Sequence, residues 1–236
     1  ATTYTNILVW KKDKEAGKEK TKAWDLSKVY TSDTSLEEML QKQGECDALF
    51  SDDTYVVVKE DQTAVKRRIE QVGTPLKEWD VSIYRGILTG LNEAFIINGK
   101  KKDDLIQEDP KSAEILKPIL RGRDIKRYKA EFADLWLIAS HNGYKDENGN
   151  VVQPVNVKRD YPAVYKYLHS VGKSIEKGEI KVKGKGLFNR DDQGKDWWNL
   201  RDCAYYREFE KEKLFWLEMS PGSNFSFDNR GYFVLN

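Results

Sequence analysis

Cysteine, histidine and proline are all scarce: the 236 residues hold two, two and six of them. Two cysteines, Cys46 and Cys203, cannot staple a secreted scaffold of this size, so the chain reads as a cytoplasmic protein from a reducing compartment. With His141 and His169 they are the only soft metal ligands, and no two of the four lie within four residues of each other. Zinc-finger spacing is therefore missing, and no metal site is expected. Long hydrophobic runs are missing too. The longest unbroken apolar run, at 135–139, is far short of the roughly 20 residues that cross a bilayer, so no membrane partner is expected.

What the chain does have is charge and aromatic surface. Charged residues make up 33%, hydrophobic residues 39% and aromatics 12%, with seven tryptophans. That balance describes a solvated surface over a packed interior, in one large domain or two small ones, and not a disordered polyelectrolyte. The chain opens Ala1-Thr2-Thr3 without Met and stops at Asn236 directly after an apolar run, which leads to the expectation of a piece cut from a longer protein. The net charge of +1 conceals a basic stretch over 158–201, with 11 basic and 6 acidic residues. Tyr161, Tyr165, Tyr167, Trp197 and Trp198 are interleaved with those cations, as where a surface meets nucleic acid. The same composition also fits a solvated lysine face over a buried aromatic core.

Hydrophobic periodicity predicts a mixed chain. A strand is expected over 5–10, then an exposed loop over 11–22. Ser35 and Glu38 have capping-box spacing for a helix that Gly44 stops. A buried strand follows over 55–58. Asp61 is placed to cap a second helix whose Val65, Ile69 and Val72 share a face, ended by Gly73 and Pro75. Further strands are expected over 81–84, 94–97, 135–139, 151–155, 214–219, 225–227 and 232–235. Asn148-Gly149 and Asn229-Arg230-Gly231 supply turns for antiparallel hairpins. Asp109-Pro110 and Asp160-Tyr161-Pro162 are helix starts, the second leading a helix with Tyr161, Val164, Tyr165 and Leu168 on one face. The expected class is α+β, with short, mainly antiparallel strands and several helices, because the regular strand-helix alternation of a doubly wound sheet is missing.

Catalytic constellations are weak. Gly184-Lys185-Gly186 is a lone GxG without a preceding buried strand and reads as a flexible loop. Cys203 has only Arg201 nearby in sequence to activate it, so a buried structural thiol is expected. Asp160, Glu179 and Lys181 match the acid-(x)n-acid-x-Lys pattern of a metal-dependent nuclease, but Asp109-Pro110-Lys111 and Asp124-Ile125-Lys126 satisfy its second half equally well. Neither catalytic nor cofactor-binding residues are assigned, and a recognition module is favoured over an enzyme.

Three stretches in order carry more specific information: RGILTGLNEAFII at 85–97, LRGRDIKRY at 120–128 and DQGKDWWNLRDC at 192–203, with Phe215-Trp216 in a strand soon after. On the residues alone, Gly86 and Gly90 permit close backbone approach, and Arg85, Thr89 and Asn92 offer donors near a turn. A tight turn with Asn92 satisfying its own loop is the alternative. Arg121, Arg123, Lys126 and Arg127 surround Gly122 as a phosphate cradle, unless Arg123 instead pairs with Asp124 or another acid. Trp197 and Trp198 cannot both face one way in an extended segment, so one belongs in the core.

Together the three stretches resemble the target-recognition region of single-chain type II restriction-modification enzymes and related adenine-specific DNA methyltransferases, the group with a TaqI-like C-terminal specificity domain. The likeness covers residues 55–236; the segment 1–54, with TNILVWKK at 5–12, resembles the end of the methyltransferase domain plus a connector. The resemblance implies double-stranded DNA as partner, together with a methyltransferase domain missing from this chain that would bind S-adenosylmethionine and flip an adenine. No cofactor is expected in this chain itself. It has no Pro-Pro pair, so the Asn/Asp-Pro-Pro-Tyr/Phe loop that stacks the flipped base is not in it. The expected DNA-contacting residues are Arg85, Thr89, Asn92, Arg121, Arg123, Lys126, Arg127, Lys158, Arg190, Lys195, Trp197 and Arg201, some on phosphates and some on base edges. A metal-dependent nuclease and a protein-interaction domain that ignores DNA are the two rival readings.

Overall fold

The computed structural model describes residues 22–26, 33, 35–43, 46–50, 55–58, 60–217 and 224–235. The strand expected over 5–10 lies outside them, as does the loop over 11–22 apart from Lys22. The chain packs as two compact units, 1–82 and 83–236. The class is α+β, with helices and short, mostly antiparallel strands in small sheets.

In the first unit a three-stranded antiparallel sheet is built from β1 (Lys22–Ala23), β2 (Cys46–Phe50) and β3 (Tyr55–Val58), with helix α1 (Leu36–Gln43) between the first two strands and α2 (Glu60–Val72) after the third. Residues 55–58, grouped by sequence with the chain that follows, thus pair backwards with β2. The start of α1 follows its cap: the Glu38 backbone N–H donates to Ser35 Oγ at 3.3 Å. Helix α2 forms, but it starts at Glu60, so Asp61 lies within its first turn instead of capping it, and Val65, Ile69 and Val72 are exposed rather than buried. Their stripe is left uncovered among the described residues; local pairs such as Lys66 with Glu70 support the helix. The 81–84 segment, where the first unit gives way to the second, forms no strand, and within the second unit Tyr84 stacks on Tyr205 with ring centroids 4.7 Å apart.

The second unit is organised on a four-stranded sheet. Asn92 opens a single helical turn, α3 (Asn92–Phe95), which buries Ala94 and Phe95; only then does the chain extend into β4 (Ile96–Asn98). The strand expected over 94–97 is therefore displaced, because Ala94 and Phe95 reach the core from the turn. Asn98 caps α4 (Gly99–Glu108) by accepting from the Lys101 N–H at 2.8 Å. Asp109 accepts from Lys111 N–H and starts the 3-10 turn Pro110–Ile115. Then come β5 (Leu116–Leu120), the short hairpin β6 (Ile125–Lys126) and β7 (Lys129–Ala130), and β8 (Leu135–Ile138). A second hairpin, β9 (Tyr144–Lys145) and β10 (Val151–Val152), closes over Asn148-Gly149, where Gly149 has φ 79° and the Asp146 carboxylate accepts from the Asn148 and Asn150 N–H groups. It is shorter than the 151–155 strand expected.

The rest of the unit is α5 (Val157–Asp160), α6 (Pro162–Glu176), β11 (Lys213–Trp216), β12 (Phe225–Asp228) and β13 (Phe233–Val234). The main sheet runs β13-β5-β8-β4, with β13 parallel to β5 and the other pairs antiparallel. Asn229-Arg230-Gly231 is a turn, but not a hairpin. Asp228 accepts from Arg230 and Tyr232 N–H groups, which sends the chain from β12 out of its pairing with β11 and into the main sheet. The expected face of α6 is correct: Tyr161, Val164 and Leu168 are buried, with Phe95, Ile119, Leu137, Ile138, Leu187, Leu200 and Phe233 in the same core. Asp160 does not cap α6; it closes α5 and holds Arg159 in a two-point ion pair.

Tyr161 links that core to a titration. Burial, followed by its 2.8 Å hydrogen bond to Glu114, pushes the phenol up from 10 to about 12. A raised folded-state value means that its contribution is complete below pH 10 and is lost as pH rises towards 12. Tyr161→Phe should therefore flatten the loss of stability between those limits in alkaline urea titrations. An unchanged profile would remove Tyr161 as its source.

Candidate nucleic-acid interface

The first stretch folds into a closed turn. Gly90, at φ 73°, leaves no room for a side chain: a Cβ there would stand 2.7 Å from Asp192 O and 2.9 Å from Arg190 Nε. That close approach joins the first stretch to the third. Thr89 is buried and donates to Asn92 Oδ1 at 2.6 Å while accepting from Leu91 N–H, so the Thr89 hydroxyl is consumed inside the loop. Asn92 is exposed and is held by the same bond. Arg85 is exposed on the strand-like entry to the turn, beside Tyr205.

Arg190 is buried. Its Nη1 donates to Leu187 O at 3.1 Å and to Trp197 O, its Nη2 donates to Asn199 O, and its guanidinium lies 4.8 Å from the Phe95 ring centroid. Burial pushes its pKa down to about 10, partly offset by Asp192, so it stays charged at neutral pH. This side chain organises the third stretch from within: three of its five N–H donors are spent on carbonyls and the group is buried, so it is not presented to a phosphate at the surface. In the same stretch Asn199 is fully buried, donating to Val155 O at 2.9 Å and accepting from Asp196 N–H. Trp198 is the core member of the tryptophan pair and Trp197 the half-buried one, with their rings edge to face at 5.2 Å. Trp197 also packs on Phe188 and Tyr165. Lys195 is exposed, while Arg201 stands 3.6 Å from Asp192 in an open ion pair. Lys158 is exposed 5.9 Å from the Tyr165 ring.

The second stretch divides its four cations. Arg121, not Arg123, takes Asp124: its Nε and Nη2 donate to the two carboxylate oxygens at 2.9 and 2.8 Å, and its backbone N–H adds a third bond at 2.8 Å. The carboxylate is thereby spent on closing the 3-10 turn Gly122–Asp124. Burial of Asp124 opposes its ionisation, but the Arg121 hydrogen bonds and charge outweigh it and hold the carboxyl below 3.8. A depressed value contributes stability that is complete above the unfolded carboxylate value and lost as pH falls through the folded one. Asp124→Ala should cost about 2 kcal/mol near neutral pH, with the gap to the parent closing below pH 4. A constant gap in acid urea titrations would show that packing, and not charge, is responsible.

Arg123, Lys126 and Arg127 remain exposed, and none forms an ion pair among the described residues. Lys126 Nζ donates to Arg123 O at 2.6 Å, and Arg127 lies 5.2 Å from the ring of Tyr128. Tyr128 sits at φ 65° on the tip of the β6–β7 hairpin. This hairpin packs on β12, with the Tyr128 N–H donating to Phe225 O at 2.6 Å. At Gly122 a Cβ would come within 2.9 Å of Leu217, so the cationic turn also lies against the end of β11. β13 then ties the first and second stretches together, since Ile87 N–H donates to Val234 O and Leu235 N–H to Leu120 O.

Among the described residues, the groupings weighed from the sequence are not brought together. No cluster of three or more His, Cys, Asp or Glu residues able to hold a metal occurs among the described residues. Asp160 and Glu179 lie beyond opposite ends of the 15-residue α6, about 22 Å of helix, and cannot share one ion. Burial raises the Cys203 thiol and lowers His141, so neither is an activated nucleophile or a ready cation. No described helix is long and apolar enough to cross a membrane. Sequence reading overlooked Tyr128 and the outer residues of β11 and β12, although the alternation of Leu214, Trp216, Phe225 and Phe227 with Phe215 and Ser226 was its available signal. Comparison of the chain with protein-family models and with curated proteins finds no match.

Proposed function

We propose that this chain carries the duplex-DNA recognition region of a cytoplasmic restriction-modification adenine methyltransferase, acting with a catalytic domain that binds S-adenosylmethionine. The observation that carries this reading is the basic turn and hairpin: Arg123, Lys126 and Arg127 are exposed and take part in no ion pair among the described residues, while the neighbouring acid, Asp124, is held by Arg121. Three exposed cations outside any ion pair among the described residues suit a run of phosphates. Arg85, Lys158 and Lys195 are further exposed cations, Arg201 is exposed in its open pair with Asp192, and Asn92 offers an amide to a base edge. Thr89, Arg121 and Arg190 support the turns from inside and leave the contact set.

Binding of a labelled mixed-sequence duplex at increasing salt tests the proposal. Log affinity should fall linearly with log salt, at about 0.9 for each phosphate neutralised. A chain that remains folded yet binds no duplex at micromolar concentration in low salt defeats it and favours the protein-interaction reading.

A further inference from the structure

The ribbon of β11 and β12 has an inner face on which one aromatic residue sits among polar ones, and an outer face that is apolar. Inside, Phe215 packs with Leu120 and Ile125, while Ser226 and Asp228 are buried; Asp228 takes the Lys213 ammonium at 2.6 Å and so fastens the two strands at one end. Outside, the register pairs Leu214 with Phe227 and Trp216 with Phe225. These four are 61%, 58%, 43% and 41% exposed, and Tyr128 on the adjoining hairpin is 74% exposed. The outer face of a small antiparallel ribbon is ordinarily polar, so a contiguous apolar patch there marks a contact surface.

The chemistry of that face selects its partner. Apart from the Trp216 indole N–H, its four side chains have no hydrogen-bonding group, so they cannot read the polar edges of paired bases in a groove. Three of the four present flat π surface, and the Tyr128–Phe225 bond sets the tip of the basic hairpin, with Lys126 and Arg127, beside it. Aromatic platforms next to exposed cations suit a polyanion with exposed ring faces. We infer that the outer face of the β11–β12 ribbon stacks on unpaired bases of single-stranded DNA, while the basic turn holds the flanking phosphates. This deepens the proposed DNA reading, and rests on it for the identity of the anion.

The inference is tested on the full 236-residue chain with two fluorescein-labelled probes, a 20-nucleotide oligothymidine and a 20-base-pair mixed duplex, by anisotropy at low salt. Trp216→Ala and Phe227→Ala replace exposed side chains, and unchanged urea midpoints are required to show that both variants stay folded. Each should weaken oligothymidine binding roughly fivefold or more, the usual consequence of removing one stacking partner, and leave duplex binding within about twofold. If oligothymidine is not bound while the duplex is, the stacking inference fails and the duplex reading stands. If neither probe binds, both fail. Equal losses on both probes would overturn the assignment to unpaired bases. A concentration-dependent dimer that Phe227→Ala returns to monomer would assign the face to a second copy of the chain instead.

Discussion

Replacing Arg190 with leucine is expected to cost about 3–5 kcal/mol of folding stability, a large part of what a domain of this size possesses. The guanidinium is the sole side-chain donor given to three carbonyls, those of Leu187, Trp197 and Asn199, from positions scattered over the loop that follows α6. Leucine fills comparable space against Phe95 but leaves those acceptors buried and unpaired, at about 1–3 kcal/mol each before relaxation. Lysine keeps the charge without the planar fork and should recover only part of the loss. Gly90→Ala should act in the same place by a different route, because its Cβ would press on Arg190 Nε and Asp192 O in a backbone conformation that alanine resists. Urea midpoints followed by tryptophan fluorescence measure all three. A normally stable Arg190→Leu chain with lost duplex affinity would show instead that the guanidinium turns outward to DNA.

Reversing Arg123, Lys126 and Arg127 together to glutamate should weaken duplex binding roughly a hundredfold or more at low salt. Each lost phosphate contact accounts for on the order of 1 kcal/mol or more, and the new negative charges add repulsion. The salt dependence gives the sharper result, since its slope should fall by about 0.9 for each contact that had been made. The three side chains are exposed and take part in no ion pair among the described residues, so the urea midpoint should hardly change. Loss of affinity with an unchanged salt slope would point to a rearranged turn. Unchanged affinity would remove the hairpin from the interface, leaving Arg85, Lys158, Lys195 and Arg201 as the remaining cations.

The contrast between Arg190 and Arg123 explains why the candidate site was only partly legible. In sequence the two are alike: each is an arginine beside an aspartate in a glycine-containing, cation-rich stretch. Their fates depend on contacts made from far along the chain. Arg190 is taken inward because Gly90 and Phe95 come to lie over it. Arg123 is left outside because Arg121 reaches Asp124 first, with two side-chain bonds and a backbone bond. Charge patterning counts cations, but it cannot tell which have already been neutralised or buried.

What the sequence determined by itself was local. The Ser35 and Asp109 caps, the Asn148-Gly149 turn, the apolar face of α6 and the α+β class each follow from contacts between residues a few positions apart, where spacing alone fixes which groups meet. The tertiary structure alone decided where the Asn229-Arg230-Gly231 turn leads, which tryptophan enters the core, and that Trp216 and Phe225 stand side by side on an open face. Those outcomes depend on strand register and on competition for buried volume among distant segments, and a period of two along one strand does not say which side another strand will cover.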